Sequence, residues 1–147
     1  MGADAKVELI DVGRGDPRLV EDLLAVLVQL RPHLTAGSLT EAYERGYGEG
    51  LRFLAAYAEG ACVGVAGWRI VHNTSSGRKL YVDDLVTASD RRSGGVGRAL
   101  LAELEARARA AGCTVLDLDS GTQRRDAHRF YHRESLTVRS FHFAKEL

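Results

Sequence analysis

The residues best suited to chemistry lie in one stretch, Leu80 to Ala111, reading LYVDDLVTASDRRSGGVGRALLAELEARARAA. Arg92, Ser93, Gly94, Gly95, Val96, Gly97 and Arg98 form a glycine turn that runs directly into an amphipathic helical pattern. Such a helix start leaves backbone N–H groups without acceptors, and the helix dipole adds positive potential there. The expected occupant is an anion, most often a phosphate. Just upstream, Asp83 and Asp84 are consecutive carboxylates in a strand-like run. Strict alternation places Asp84 with Val82 and Val86 on one face, and Asp83 with Tyr81 and Leu85 on the other.

Three glycine-rich phosphate motifs compete for this turn. The P-loop needs Gly-Lys followed by Ser or Thr, and Gly97-Arg98-Ala99 does not supply it. The dinucleotide fingerprint needs a third small residue where Leu100 stands, although Asp117 and Asp119 lie suitably downstream for a ribose-binding acid. The third pattern is Arg-x-x-Gly-x-Gly, which Arg92 to Gly97 matches.

The elements that must position these groups follow from periodicity. Lys6 to Val12 is a short strand, closed by GRGDP. Asp16-Pro17 opens a helix with Val20, Leu23, Leu24, Leu27 and Leu30 on one stripe, ended before Pro32. Ser38 and Glu41 suggest a capping box for a second helix, Leu39 to Tyr47. Leu51 to Glu59 and Cys62 to Val71 are strands joined at Glu59-Gly60; with Lys79 to Thr87 they make an antiparallel meander. The long helix, about Gly95 to Ala111, ends at Gly112, and Thr114 to Ser120 follows as a strand parallel to the one before the helix. Its Leu116 and Leu118 share one face, Asp117 and Asp119 the other. Arg125 to His132 reads as a short helix, and 136–147 as one long final strand. The fold class is α/β in the α+β sense, with residues 1–147 as one domain.

Composition narrows the function. Twenty basic and twenty acidic side chains cancel, giving no global reason for a nucleic acid or anionic membrane partner. No apolar run approaches the ~18–20 residues of a membrane span. MGADAKVELIDV lacks signal-peptide character, and Lys6 stands where a myristoylation site needs Ser or Thr. Cys62 and Cys113 have no metal-type spacing and read as reduced thiols of a cytoplasmic protein; no metal is expected.

The chain resembles the GNAT N-acetyltransferase superfamily. The resemblance is carried by the strand–turn–helix Leu80 to Ala111 and by Asp126-Ala-His-Arg-Phe-Tyr131, which with Ser135-Leu136 is similar to the family's Ala-x-x-Phe-Tyr-x-x-x-Gly-Phe block. The order of elements matches as well. The resemblance implies an acyl-CoA N-acyltransferase fold: a mixed, mostly antiparallel sheet of six to seven strands flanked by about four helices. It departs at Ser135 and Leu136, where Gly and Phe are usual, and at Arg124, where an asparagine often contacts the pantetheine arm. The last strand lacks its usual hairpin partner, leaving an edge that a second subunit could cover, hence a possible homodimer.

The implied reaction transfers the acetyl group of acetyl-CoA to a primary amine in a ternary complex. Backbone N–H groups across Arg92, Ser93, Gly94, Gly95, Val96, Gly97 and Arg98 would hold the pyrophosphate, glycines 94, 95 and 97 removing obstructing Cβ atoms. Arg91, Arg92 and Arg98 would add positive charge. Leu85, Val86 and Thr87 would pair with the pantetheine amides, and the N–H of Leu85 or Val86 would polarise the thioester carbonyl. Tyr131 is the expected acid for the leaving thiolate. Asp84 is the favoured base, directly or through water, with Asp83 the other candidate; Asp119 and His128 are secondary. Glu41, Glu44 and Glu49 hint at a cationic acceptor. The alternative is a non-catalytic acyl-CoA binding or sensing module of the same fold.

Overall fold

The computed structural model describes residues 6–147, so the N-terminal reading of residues 1–5 lies outside the described residues. Strands β1 (Glu8–Val12), β2 (Arg52–Ala58), β3 (Ala61–Asn73), β4 (Gly77–Thr87) and β5 (Val115–Leu118) form one sheet in sequence order. Every neighbouring pair is antiparallel except β4 and β5, which run parallel. The sheet among the described residues therefore has five strands, one or two fewer than expected. The shortfall lies at 136–147, which joins no ladder.

Local chemistry accounts for the elements. Glu59 and Gly60 both take positive φ, 51° and 79°, which is what a two-residue hairpin turn requires. The first helix starts with i→i+5 bonding over Leu19–Leu23 and continues as α1 (Leu24–Leu30). Asp16 Oδ1 accepts the Arg18 N–H at 2.9 Å at its entrance. Helix α2 (Ala36–Tyr47) starts earlier than expected because Thr35, not Ser38, is its cap: the Thr35 and Ser38 side chains satisfy each other's backbone N–H. Helix α3 (Val96–Ala110) and helix α4 (Arg125–Arg133) complete the set. Ser135, at the usual glycine position after α4, has φ 68°, and Ser135 and Leu136 donate back to His132 and Tyr131. That is a Schellman closure made without glycine, at a cost of roughly 1 kcal/mol.

The sheet buries both faces. On one, Leu23, Leu27, Leu39 and Tyr43 pack over Phe53, Ala55, Val65 and Val86. On the other, Val96, Leu100, Leu104 and Ala108 of α3 pack over Leu54, Ala66, Leu80 and Val82. Gly64 of β3 lets α3 come this close: a Cβ there would sit 2.6 Å from Val96 Cγ1 and 3.0 Å from Leu100 Cδ1. The small residue that close helix–strand packing needs is thus on the strand, which leaves room for leucine at 100. Gly64→Ala is expected to destabilise the protein by about 1–3 kcal/mol, measured by urea unfolding.

Candidate active site

The site begins where the two parallel strands part. β4 and β5 pair from Lys79↔Val115 to Val82↔Leu118 and no further, while β4 continues to Thr87 on the β3 side alone. Residues 83–87 thus border an opening in the sheet, with Leu85, Val86 and Thr87 at its far end. The chain then crosses a short 3-10 turn, Ser89–Arg91, into α3. Gln29 Oε1 accepts the Ser89 N–H at 2.8 Å, pinning the loop to α1. Ser93 and Gly95 hold left-handed φ values of 68° and 83°. Gly95 is the N-cap and provides no side-chain acceptor for the N–H groups of the first turn. Arg92 is exposed, and Arg98 Nε lies 3.5 Å from Glu134 Oε2 at the end of α4.

The two aspartates depart from strict alternation. Gly67 pairs with Asp84 but Trp68 pairs with Val82, so Asp83 is the extra residue of a β-bulge. Across it the faces change parity: Val82 packs towards α3 and Val86 towards α1 and α2. Asp84 therefore does not share a face with Val82, and Asp83 and Asp84 are not on opposite faces. Both carboxylates meet arginines on the α1–α2 side. Arg31, just past α1, donates from Nε to Asp84 Oδ1 at 2.9 Å and from Nη2 to the Asp83 carbonyl at 3.1 Å. Arg69 Nε donates to Asp83 Oδ2 at 2.9 Å, and its Nη1 lies 3.5 Å from Glu49 Oε1. The other Asp84 oxygen, Oδ2, sits over Gly67, where a Cβ would come within 3.0 Å. Burial pushes the Asp84 carboxyl above the usual carboxylate range, against the opposing pull of Arg31.

Tyr131 lies on α4 and is buried, 9% exposed. The neighbouring Phe130 ring stands 5.6 Å from it and fills the space beside Gly97, where a Cβ would meet Phe130 Cζ at 3.2 Å. Glycine at 97 is thus explained by helix packing, which seats α4 on the first turn of α3. Burial raises the Tyr131 phenol above its ordinary pKa, while Arg124, hydrogen-bonded to it, acts in the opposite direction. The hydroxyl is a neutral proton donor at physiological pH.

The other expected residues are dispersed. Asp119 Oδ2 accepts from Tyr81 at 2.7 Å, and the His128 ring bonds the Gly121 carbonyl. Glu41, Glu44 and Glu49 each face an arginine, Arg45, Arg14 and Arg69. Glu41 and Glu44 lie on α2 and Glu49 in the turn after it, all three paired. No group of three or more metal-ligating side chains occurs among the described residues.

The profile of the acetyltransferase (GNAT) family matches residues 20–135. The chain belongs to the GNAT acetyltransferase family. An uncharacterized N-acetyltransferase of Bacillus subtilis, YhdJ, is 44% identical over 70 residues, 47% of this chain and 49% of the relative. An aminoalkylphosphonate N-acetyltransferase of Salmonella typhimurium is 41% identical over 66 residues, 45% and 43% of the two chains. An aminoglycoside N(6')-acetyltransferase of Stenotrophomonas maltophilia is 37% identical over 84 residues, 54% and 55%. The chain thus spans about half the length of the curated relatives it matches. Among solved structures, an aminoglycoside N-acetyltransferase, AAC(6')-Iy, in complex with CoA superposes with a TM-score of 0.81 at 16% identity, covering 100% of this chain and 99% of the other. A Trypanosoma brucei acetyltransferase gives 0.78 at 22%, covering 97% and 100%. These last two share the fold.

Within this GNAT chain, several residues near the site carried no readable role in the sequence. Arg31 meets Asp84 from far along the chain, and Arg69 meets Asp83 from the neighbouring strand β3. Gly64 and Gly67 did leave a trace, since a glycine inside a strand pattern marks a bulge or a close approach.

Proposed function

We propose that residues 1–147 act as one cytoplasmic N-acetyltransferase domain that moves the acetyl group of acetyl-CoA to a primary amine by direct attack in a ternary complex. One observation carries this reading: β4 parts from β5 immediately before an uncapped, glycine-led helix start. An open strand edge suits an amide-bearing arm, and a helix start without a capping side chain suits its pyrophosphate. Acetyl-CoA supplies the activated thioester; the chain supplies positioning and proton movement.

The backbone from Arg92 to Arg98 binds the pyrophosphate. Leu85, Val86 and Thr87 hold the arm, and an N–H of Leu85 or Val86 faces the oxygen on which charge develops. The acceptor arrives as an ammonium, with a pKa near that of lysine, about 10. Asp84 takes its proton, directly or through water, with Oδ1 held by Arg31 and Oδ2 as the accepting atom. Asp83, held by Arg69, adds negative potential that favours a cationic acceptor. Tyr131 gives its proton to the departing sulfur as the C–S bond breaks, and the second proton shed by the newly acylated nitrogen restores the phenol. The relatives named for aminoalkylphosphonate and aminoglycoside acetylation support an amine acceptor. The open β5 edge supports a homodimer.

Arg31 sets the working range of the base. Arg31→Gln removes the cation that lowers the Asp84 pKa, so that pKa rises further. The acid limb of the pH–rate profile is expected to move to higher pH, with little change on the alkaline side. An unmoved limb would detach Arg31 from the base.

The reading itself is tested by thioester consumption against a panel of aminoalkylphosphonates, aminoglycosides, polyamines and lysine peptides. Amine-dependent release of free CoA thiol supports the enzyme. Acetyl-CoA binding without turnover on any amine would leave the binding module instead.

A further inference from the structure

We propose that Arg124 positions Tyr131 for proton delivery: its guanidinium donates to the phenol oxygen, directs the hydroxyl proton towards the departing sulfur and steadies the phenolate that forms; this rests on the acetyl-transfer reading above. The backbone brings the two residues together. The Arg124 N–H donates to the Gly121 carbonyl at 3.1 Å, and the Arg124 carbonyl accepts the His128 N–H at 3.1 Å. Arg124 is thereby fixed as the N-cap of α4. Tyr131 follows seven residues later, two turns along the same helix face. Aromatic side chains on a helix lean towards its N-terminus, which turns this ring back to Arg124, and the two side chains are hydrogen-bonded.

The direction of that bond sets Tyr131 apart. Tyr43 donates to the Val12 carbonyl, Tyr57 to Asp22 Oδ2 and Tyr81 to Asp119 Oδ2, each at 2.7 Å, so their protons are committed. A guanidinium has donors and no acceptor. Tyr131 must therefore accept from Arg124, and among the described residues no hydrogen bond takes up its own proton. Arg124 is distinctive too. Of the half-buried arginines, Arg18, Arg69 and Arg107 face carboxylates and Arg52 bonds main-chain carbonyls. Arg124 faces a neutral phenol and, among the described residues, no carboxylate.

A partly desolvated cation without a counter-ion is costly, and a negative charge arising beside it offsets that cost. Such a charge arises only during reaction. As the C–S bond breaks, the proton moves from Tyr131 Oη to the sulfur, and the electron pair stays on the oxygen next to the guanidinium. The proton shed by the newly acylated nitrogen then restores the phenol. Arg124 thus favours the charged state over the resting one, which is the condition for accelerating the step. Burial raises the Tyr131 pKa and Arg124 lowers it, whereas at Tyr57 and Tyr81 burial and the facing aspartate both push upwards. Charged neighbours on α4 and at the start of α3 have other partners: Glu134 faces Arg98, Arg129 bonds Asp126, and the His128 ring meets the Gly121 carbonyl.

Turnover and acetyl-CoA affinity of Arg124→Gln, Arg124→Lys, Tyr131→Phe and the combination of Arg124→Gln with Tyr131→Phe, all with one working amine, test this. Arg124→Gln is expected to lower kcat on the order of tenfold, a part of what a general acid contributes, with acetyl-CoA Kd unchanged. Arg124→Lys keeps the cation and should recover part of the loss. In the Tyr131→Phe background Arg124→Gln should cost nothing further, because its effect runs through the phenol. The Tyr131 Cζ resonance in carbon NMR should titrate at higher pH in Arg124→Gln, since the cation that lowers the phenol's pKa is gone. Equal losses in both backgrounds, an unmoved titration, or a weakened Kd in place of the kcat loss would overturn the role of Arg124. So would full activity of Arg124→Gln beside a slow Tyr131→Phe, and that result would leave the acid in place. Full activity of Tyr131→Phe would instead remove the acid itself, and Arg124 with it.

Discussion

Tyr131→Phe is expected to lower turnover by about two orders of magnitude or more, while acetyl-CoA binding by calorimetry stays close to wild type. The substitution removes one oxygen and keeps the ring that packs beside Phe130. The phenol is buried and its pKa is raised, so it enters the reaction protonated. A departing thiolate deprived of that donor must be released unassisted or take its proton from water. Binding should hold because the pyrophosphate and arm contacts proposed here are backbone groups on β4 and α3. Equal turnover in the two proteins, with an acceptor that works, would remove Tyr131 from the chemistry.

Asp84→Asn is the second large effect. At neutral pH the rate with a primary amine should fall by about 10²-fold or more. The variant's rate should then climb with pH towards the acceptor's own pKa, because only amine already deprotonated in solution can react. Wild type should instead rise through the Asp84 titration and level off earlier. Stability should move the other way. A carboxyl whose folded pKa exceeds its unfolded value takes up a proton on folding between the two. Its contribution therefore falls as pH rises through that window and is unfavourable above it. The neutral amide lacks this dependence, so urea unfolding of Asp84→Asn should lose the decline that Asp84 imposes just above the ordinary carboxylate range. An unaltered pH–rate profile would rule Asp84 out as the base.

Much of the frame was legible because it rests on local signals. Glu59-Gly60, the meander, the parallel β4–α3–β5 unit and the stop at Gly112 follow from turn chemistry and period alone. Alternation failed at Asp83, where a bulge shifts the parity of everything after it. The hint was on the partner strand, at Gly67, rather than in the aspartates themselves. Gly97 was assigned to phosphate approach, and the structure gives its space to Phe130. Arg31 was unreadable for a different reason: its contact with Asp84 spans 53 positions and is created by the placement of α1 over the sheet. The tail reads as a strand by composition, but a strand needs a neighbour, and none of the described residues supplies a ladder.

The parting of β4 from β5 leaves a gap in the sheet that the arm of acetyl-CoA would fill under the proposed function. Among the described residues, main-chain groups along 83–87 have no strand on that side, so a ligand lining them would take the place of missing secondary structure. Folding and binding are then thermodynamically linked, and the melting temperature becomes a concentration gauge. At a free ligand concentration of about 100 Kd the native state gains roughly 2.7 kcal/mol. A cell's acyl-CoA level would thereby govern how much of this protein survives proteolysis, even before any amine is acetylated.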